Sequence, residues 1–314
     1  SGALRLRGSG GRTPRARVRA RTARLPVQRR DGEPRRALLS TVSRSPVDVA
    51  LAATLHDPPG ALRADVERWL PRLQALYATV SVASSPPTDA DLRSRLAAHG
   101  VDAGVPTSNT RGPLYRRSLR HALAGGAARV HYLDFDRALH WVARKPDELA
   151  AFLRRASRHP ALLLGRTPRA HASHHEALVV TENEANAAFA RKLGITGRVD
   201  FLVPSFVLER AATARFLARS RARESTMYGE WVALLASLGP PLAYVECDGL
   251  DWETPDRHRA EIQKLGFATW RRAMSSPAEW AMRRAMAGEF LRGYARAAAR
   301  WPRPARKPVL RRLR

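Results

Sequence analysis

The stretch HYLDFDRALHW, residues 131–141, sets two carboxylates one residue apart directly behind an apolar run and follows them with an arginine. Read as the end of a strand, ARVHYLDFD (128–136), it puts Asp134 and Asp136 on one face, because successive strand side chains alternate. Two like charges side by side repel unless something neutralises them. A bound cation is the usual remedy, and a solvated turn is the plainer one.

Working outward from this stretch, apolar runs and helical periods alternate. VDVALAATL (47–55) reads as a buried strand closed by the turn HDPPG (56–60). In LRADVERWLPRLQALY, Leu62, Val66, Trp69, Leu70, Leu73 and Leu76 recur at helical spacing, with Pro71 predicting a kink or break. ATVSVASS (78–85) is a second strand. Thr88 with Asp91 forms an acidic variant of the capping box, and Gly100 stands where a helix C′ glycine belongs. Further on come the helix PLYRRSLRHALAGG (113–126), the strand holding the two acids, the helix PDELAAFLRRASRH (146–159) and the strand ALLLGRT (161–167). Thr181 with Glu184 reads as a second capping box, for a helix ending near Gly194. This alternation predicts an α/β fold, a mostly parallel sheet with helices on both faces, whose ligands collect at the carboxyl ends of the strands. Asp134 and Asp136 lie at such an end.

Composition narrows the field. The chain has 314 residues and a formal charge of +27, but residues 1–44 hold 13 Arg against 2 acids and residues 283–314 hold 11 Lys+Arg against 1 acid. The ends thus carry +11 and +10, leaving +6 for the body, which is only mildly basic. Only Lys145, Lys192, Lys264 and Lys307 are lysines, a bias that points to GC-rich coding rather than to guanidinium chemistry. With one cysteine, Cys247, an intrachain disulfide framework is excluded, which fits a reducing, cytoplasmic setting. The longest uncharged run, WVALLASLGPPLAYV, is broken by Gly239-Pro240-Pro241, so no membrane-spanning segment is expected. Residues 1–44 lack apolar period and read as a disordered basic arm, with an arm for nucleic acid or anionic lipid, or a transit peptide, as alternatives.

The order Gly112, Arg116, Leu119 and Ala122 along a helix, then a strand ending in Asp134 and Asp136, resembles the nucleotide-sugar half of GT-A-fold glycosyltransferases. The resemblance covers about residues 47–255. It implies a GT-A-like domain over residues 45–257, followed by a helical, basic extension over 258–314. It implies metal-dependent transfer of a sugar from a nucleotide diphosphate donor to a hydroxyl acceptor. Asp136 and Asp134 would hold Mg²⁺ or Mn²⁺, with His258 recruited from the C-terminal part, and Asp134 would also touch the donor ribose. Arg137 would be a diphosphate partner, and Asp57 the nearest acid for a nucleobase contact. Glu230, in STMYGEW, would deprotonate the acceptor, a task that needs a carboxylate within hydrogen-bond reach.

Around the acceptor, CDGLDWETPDRH (247–258) offers Asp251, Trp252 and Glu253, since carboxylates suit sugar hydroxyls and an indole suits the C–H face of a sugar. Asp200 is a further acceptor-pocket candidate. His171, His174 and His175 have a spacing that chelates zinc on a helix, yet no helical period covers them and a loop is expected. In WAMRRAMAGEFLRGYARAAARW (280–301), Trp280, Ala287, Phe290, Leu291, Tyr294 and Trp301 share a face, with Arg292, Arg296 and Arg300 opposite. Such a helix packs on the domain or makes a peripheral contact with an anionic membrane.

Three rivals remain. A haloacid-dehalogenase phosphatase also uses Asp-x-Asp, but normally has Thr or Val where Ala138 stands. A degenerate GT-A-like domain would bind without turnover. An Arg-tailed protein would bind nucleic acid or another anionic surface, although no zinc-finger or RNA-recognition signature is present.

Overall fold

Val49–Leu55 (β1) reads VALAATL, and all of its residues are buried. A strand without an exposed face belongs inside a sheet covered on both sides. Its side chains divide accordingly: Ala50 and Ala52 join one apolar core, while Val49, Leu51, Ala53 and Leu55 join the other. The computed structural model describes residues 47–239, 242–302 and 310–313, which lie within one unit, Ser43–Arg314. Residues 1–44, the expected arm, are outside the described residues.

The described strands are β1, Thr79–Ser84 (β2), Arg129–Tyr132 (β3), Ala161–Arg166 (β4), Phe206–Glu209 (β5), Ala243–Cys247 (β6) and Arg311–Arg312 (β7). They form one sheet in the order β2-β1-β3-β5-β4-β6-β7. Only β5 runs against its neighbours, pairing antiparallel with both β3 and β4; the other pairings are parallel. The expected mostly parallel α/β sheet is therefore present.

Helices cover both faces. Arg63–Leu76 (α1), Ala90–Ala98 (α2), Phe135–Arg144 (α4) and Pro146–Ala156 (α5) send Leu70, Leu96, Trp141 and Leu153 into one core. Arg111–Ala124 (α3), Glu176–Leu193 (α7), Arg210–Arg219 (α8), Thr226–Ser237 (α9) and Pro277–Arg300 (α12) send Leu119, Phe189, Phe216, Trp231 and Phe290 into the other. Short helices Pro168–Ala172 (α6), Arg259–Leu265 (α10) and Phe267–Ala273 (α11) complete the chain. The helical C-terminal region is thus present. Phe290, Tyr294 and Ala297 of α12 face the second core, and β7 extends the sheet beside β6.

Several local expectations change. The third strand stops at Tyr132, Asp134 is the N-cap of α4, and Asp136 lies in its first turn. The two carboxylates therefore do not alternate along a strand. At α2 the cap is Asp89, which accepts from Leu92 N at 2.8 Å, while Thr88 is buried beside Ser85. Thr181 is no cap; it lies within α7 and bonds back to Ala177 O at 2.7 Å. Pro71 is carried inside α1 without ending it. Gly100 at φ +69° and Gly194 at φ +66° terminate their helices as expected.

At the crossing of α9 and α12 the two backbones nearly touch. A Cβ at Gly229 would stand 1.7 Å from Phe290 O, and one at Gly293 would stand 1.9 Å from Thr226 O. Gly229→Ala and Gly293→Ala should each destabilise by at least the ~1–3 kcal/mol of ordinary overpacking, because backbone rather than side chain must move. Gly288→Ala, on the same helix, would meet only the end of Arg292 and should gain up to about 1 kcal/mol of helix propensity. Urea denaturation of the three variants tests this, and equal midpoints would refute the close crossing.

Candidate functional site

The carboxyl ends of β1, β2 and β3 share one edge of the sheet. Because β1 lies between β2 and β3, the chain leaves to opposite sides there and opens a crevice. A cavity of about 440 Å³ fills it. Thr54, His56 and Ser85 contribute from the strand ends, Asp134 and Asp136 from the start of α4, and Asn109, Arg111 and Tyr115 from the start of α3. Glu224 and Arg257 close the rim. Gly112 lets α3 approach the rim loop: its N–H donates to Arg223 O at 2.7 Å, and a Cβ there would stand 2.0 Å from Ala222 O.

Asp134 Oδ1 accepts from Tyr132 Oη at 2.8 Å and Thr54 Oγ1 at 3.1 Å. Its burial, then the neighbouring Asp136, push its pKa up to about 6. Asp136 Oδ1 accepts from Arg137 N at 2.9 Å, and its Oδ2 accepts from the Arg257 guanidinium. The same guanidinium donates to His56 O at 3.0 Å. The cation beside the carboxylates is thus an arginine of this chain.

A second set of bonds holds the segment that carries Arg257. The His140 ring, on α4 and 7% exposed, donates through Nδ1 to Asp256 at 2.6 Å and through Nε2 to Asp251 at 2.9 Å. Burial alone would lower the pKa of this imidazole, but the two carboxylates outweigh it and raise it to about 9. Glu148, on α5, accepts from the backbone N–H of Asp248 and Gly249 at 2.8 and 2.7 Å. Arg257 therefore reaches Asp136 from a docked segment.

The sequence candidates divide between the crevice and other places. Asp134 and Asp136 line it. His258 does not; its Nδ1 pairs with Glu261 at 3.0 Å and its ring lies against Trp270, so its neighbour Arg257 takes the place expected of it. Asp57 is buried beneath the rim, where Oδ2 accepts from Leu62 N at 2.9 Å and Oδ1 has no hydrogen-bond partner.

A second cavity, about 190 Å³, adjoins the first through Asp134, which lines both. Arg137, Trp252 and Glu253 line it, with Arg137 3.3 Å from Glu253. Asp251 instead belongs to the His140 pair.

Asp200 and Glu230 are committed elsewhere. Asp200 is buried on Arg166, taking Nε at 2.7 Å and Nη2 at 3.0 Å, and also accepts from Asn186 Nδ2 at 3.1 Å. Burial would raise its pKa, but Arg166 holds it well below the carboxylate range. Glu230, inside α9, accepts from Ser220 Oγ at 2.8 Å, Arg221 N at 2.7 Å and Ala222 N at 2.9 Å. It lines a third cavity, not the crevice. His171 lies on α6, while His174 and His175 lie between α6 and α7 and pack against Trp252.

The residues present fit a divalent ion poorly. Both oxygens of Asp136 are engaged, Oδ1 by Arg137 N and Oδ2 by the Arg257 guanidinium, and His258 lies apart. Among the described residues, one group of three converges closely enough for an ion: His171, Glu182 and Asp200. The Arg166 guanidinium already bridges its two carboxylates. Arg111, Glu224 and Arg257, which the sequence reading missed, complete the crevice. Only Arg257 had a signal, as a base within the acid-dense stretch CDGLDWETPDRH.

No protein-family model matches the chain, and no curated protein matches it. Solved structures similar to it include glucosyl-3-phosphoglycerate synthase from Mycobacterium tuberculosis. That protein is 14% identical over 83% of this chain and 82% of its own, with a TM-score of 0.42. The same enzyme in complex with uridine diphosphate is 16% identical over 65% and 70%, with a TM-score of 0.41. Its complex with Mn²⁺, uridine-diphosphate-glucose and phosphoglyceric acid has 16% identity, the same coverage and a TM-score of 0.40. At these scores the likeness adds nothing to what the residues argue.

The His140 bonds have a pH signature. The folded pKa of about 9 stands above the ordinary value of 6.5, so the stabilisation is complete below pH 6.5 and is lost as pH rises through about 9. A shift of that size corresponds to at most about 3 kcal/mol. His140→Gln should be less stable than the parent at pH 6, with the gap closing by pH 10. Urea denaturation across that range measures it, and a gap independent of pH would refute the imidazolium.

Proposed function

We propose that this chain is a glycosyltransferase of GT-A-like architecture, moving a sugar from a nucleotide diphosphate to a hydroxyl acceptor. The donor occupies the crevice at the carboxyl ends of β1, β2 and β3, and the acceptor occupies the adjoining cavity. The observation that carries this reading is Asp134, a carboxylate lining both spaces, with a pKa near 6.

Transfer breaks the bond between the anomeric carbon and the diphosphate oxygen, forms one from that carbon to the acceptor oxygen, and releases the acceptor proton. A base with a pKa just below neutrality suits that proton, and Asp134 takes this role in place of Glu230, whose carboxylate is engaged in loop bonds. Negative charge grows on the departing diphosphate, where Arg111 and Arg257 offer charge-assisted hydrogen bonds. Arg137 and Glu253, with the indole of Trp252, orient the acceptor. Mg²⁺ or Mn²⁺, expected from the sequence, would meet Asp136 and Asp134, where Arg257 already neutralises Asp136.

Thermal shift with a panel of sugar nucleotides, each with EDTA and with Mn²⁺, should reveal a donor that raises the melting temperature and report its metal requirement. With that donor, Asp134→Asn should keep affinity and lower turnover by roughly 10² to 10⁴. Glu230→Gln should lower stability and leave turnover per folded molecule unchanged. No stabilising nucleotide would overturn the reading. Binding without turnover for any acceptor would select the degenerate, binding-only alternative.

A further inference from the structure

The third cavity, about 240 Å³, lies between the α8–α9 loop and the C-terminal end of α12. Arg219, Arg221, Arg296 and Arg300 line it, with Glu230 as the only acid among its lining residues. That carboxylate is occupied: Ser220 Oγ, Arg221 N and Ala222 N donate to it. None of the four guanidiniums has an ion-pair partner among the described residues. Their few bonds go to neutral oxygens: Arg219 donates to Ser237 Oγ at 3.1 Å and Arg221 to Ser220 O at 2.9 Å.

Trp301 organises two of the cations. The guanidinium carbons of Arg219 and Arg300 lie 5.0 and 5.6 Å from its ring centroid, within cation–π range. Four like charges line this one small concavity, and Arg221, Arg296 and Arg300 are exposed, which leaves their N–H donors open to a ligand. An anion would balance these charges, and guanidiniums present paired N–H donors matched to phosphate oxygens.

We propose that this cavity is a second ligand site, separate from the crevice, for an anion bearing a multiply charged phosphate group. Its walls place it beside the crevice: the loop that contributes Arg221 and Ala222 here carries Glu224 into the crevice rim. The chemistry fits a soluble phosphorylated compound and a phosphate-bearing lipid headgroup alike.

The test uses the full chain. Inorganic pyrophosphate is titrated calorimetrically into the parent, the Arg296→Ala/Arg300→Ala variant and an Arg257→Ala variant that removes a cation of the crevice instead. Vesicles of phosphatidylcholine with and without phosphatidylglycerol are co-sedimented with the same three proteins. The proposal expects affinity to fall roughly tenfold or more in the double variant and to persist in Arg257→Ala, with the double variant's thermal unfolding unchanged. Pyrophosphate binding that follows this pattern identifies a soluble ligand; vesicle binding alone that follows it identifies a headgroup. If the double variant unfolds early, Arg296→Lys/Arg300→Lys replaces it, keeping charge and losing the paired donors, and the same drop is expected. Binding insensitive to Arg296 and Arg300, binding lost only in Arg257→Ala, or no binding of either probe overturns the proposal.

Discussion

Two carboxylates at the start of α4 need a counter-charge, and Arg257 supplies it to Asp136. That pairing requires a segment about 120 positions further along the chain to be held against α4, and the segment is docked by His140 on Asp251 and Asp256 and by Glu148 on the backbone at Asp248 and Gly249. The residues that follow are directed by this docking. Arg259 pairs with Asp65 on α1, and Trp270 stacks on Trp252, 4.9 Å between ring centroids. The crevice rim and the start of the C-terminal helical region are thus fixed by the same charge balance.

The same balance separates carboxylates that carry the fold from those able to act. The sequence offers Asp200 as an acceptor-pocket candidate and, through the resemblance, Glu230 as the acceptor base. Both have their oxygens filled: Asp200 by Arg166, Asn186 and the Leu202 N–H, and Glu230 by Ser220 and two backbone donors. A buried acid saturated in this way is stable because nothing is left to do, and breaking such a pair leaves an uncompensated charge. Asp134 differs, since both of its hydrogen bonds fall on Oδ1 and its other oxygen is uncommitted among the described residues.

What could be read in advance follows from the range of the forces involved. VALAATL announces a doubly covered strand because burial of every residue leaves no polar alternation, and the βα alternation follows from periodicity alone. Helix starts were less legible. Asp134 and Thr88 each precede an apolar period, yet β3 stops early and Asp89 rather than Thr88 caps α2, a choice decided by which side chain the loop turns toward the free N–H groups. The antiparallel β5 had no signature, since four residues, FVLE, carry no direction. Least legible were the crevice residues Arg111, Glu224 and Arg257. The role of Arg257 depends on pairing across the whole domain, and beyond its place in an acid-dense stretch, a sequence in which most bases are arginine gives little reason to single it out.

The rim loop shows how charges compete for one short segment. Glu230 gathers the N–H groups of Arg221 and Ala222, Gly112 donates to Arg223 O, and Arg111 donates to Ser225 Oγ at 2.7 Å. The loop is therefore clamped from α9 on one side and from α3 on the other. Its side chains then diverge, with Arg221 toward the cavity beside α12 and Glu224 toward the crevice. A clamp at the backbone leaves those side chains free to answer local charge without moving the fold. Glu230 thus sets the position of this loop through the backbone N–H groups of Arg221 and Ala222, and its carboxylate is spent on that task.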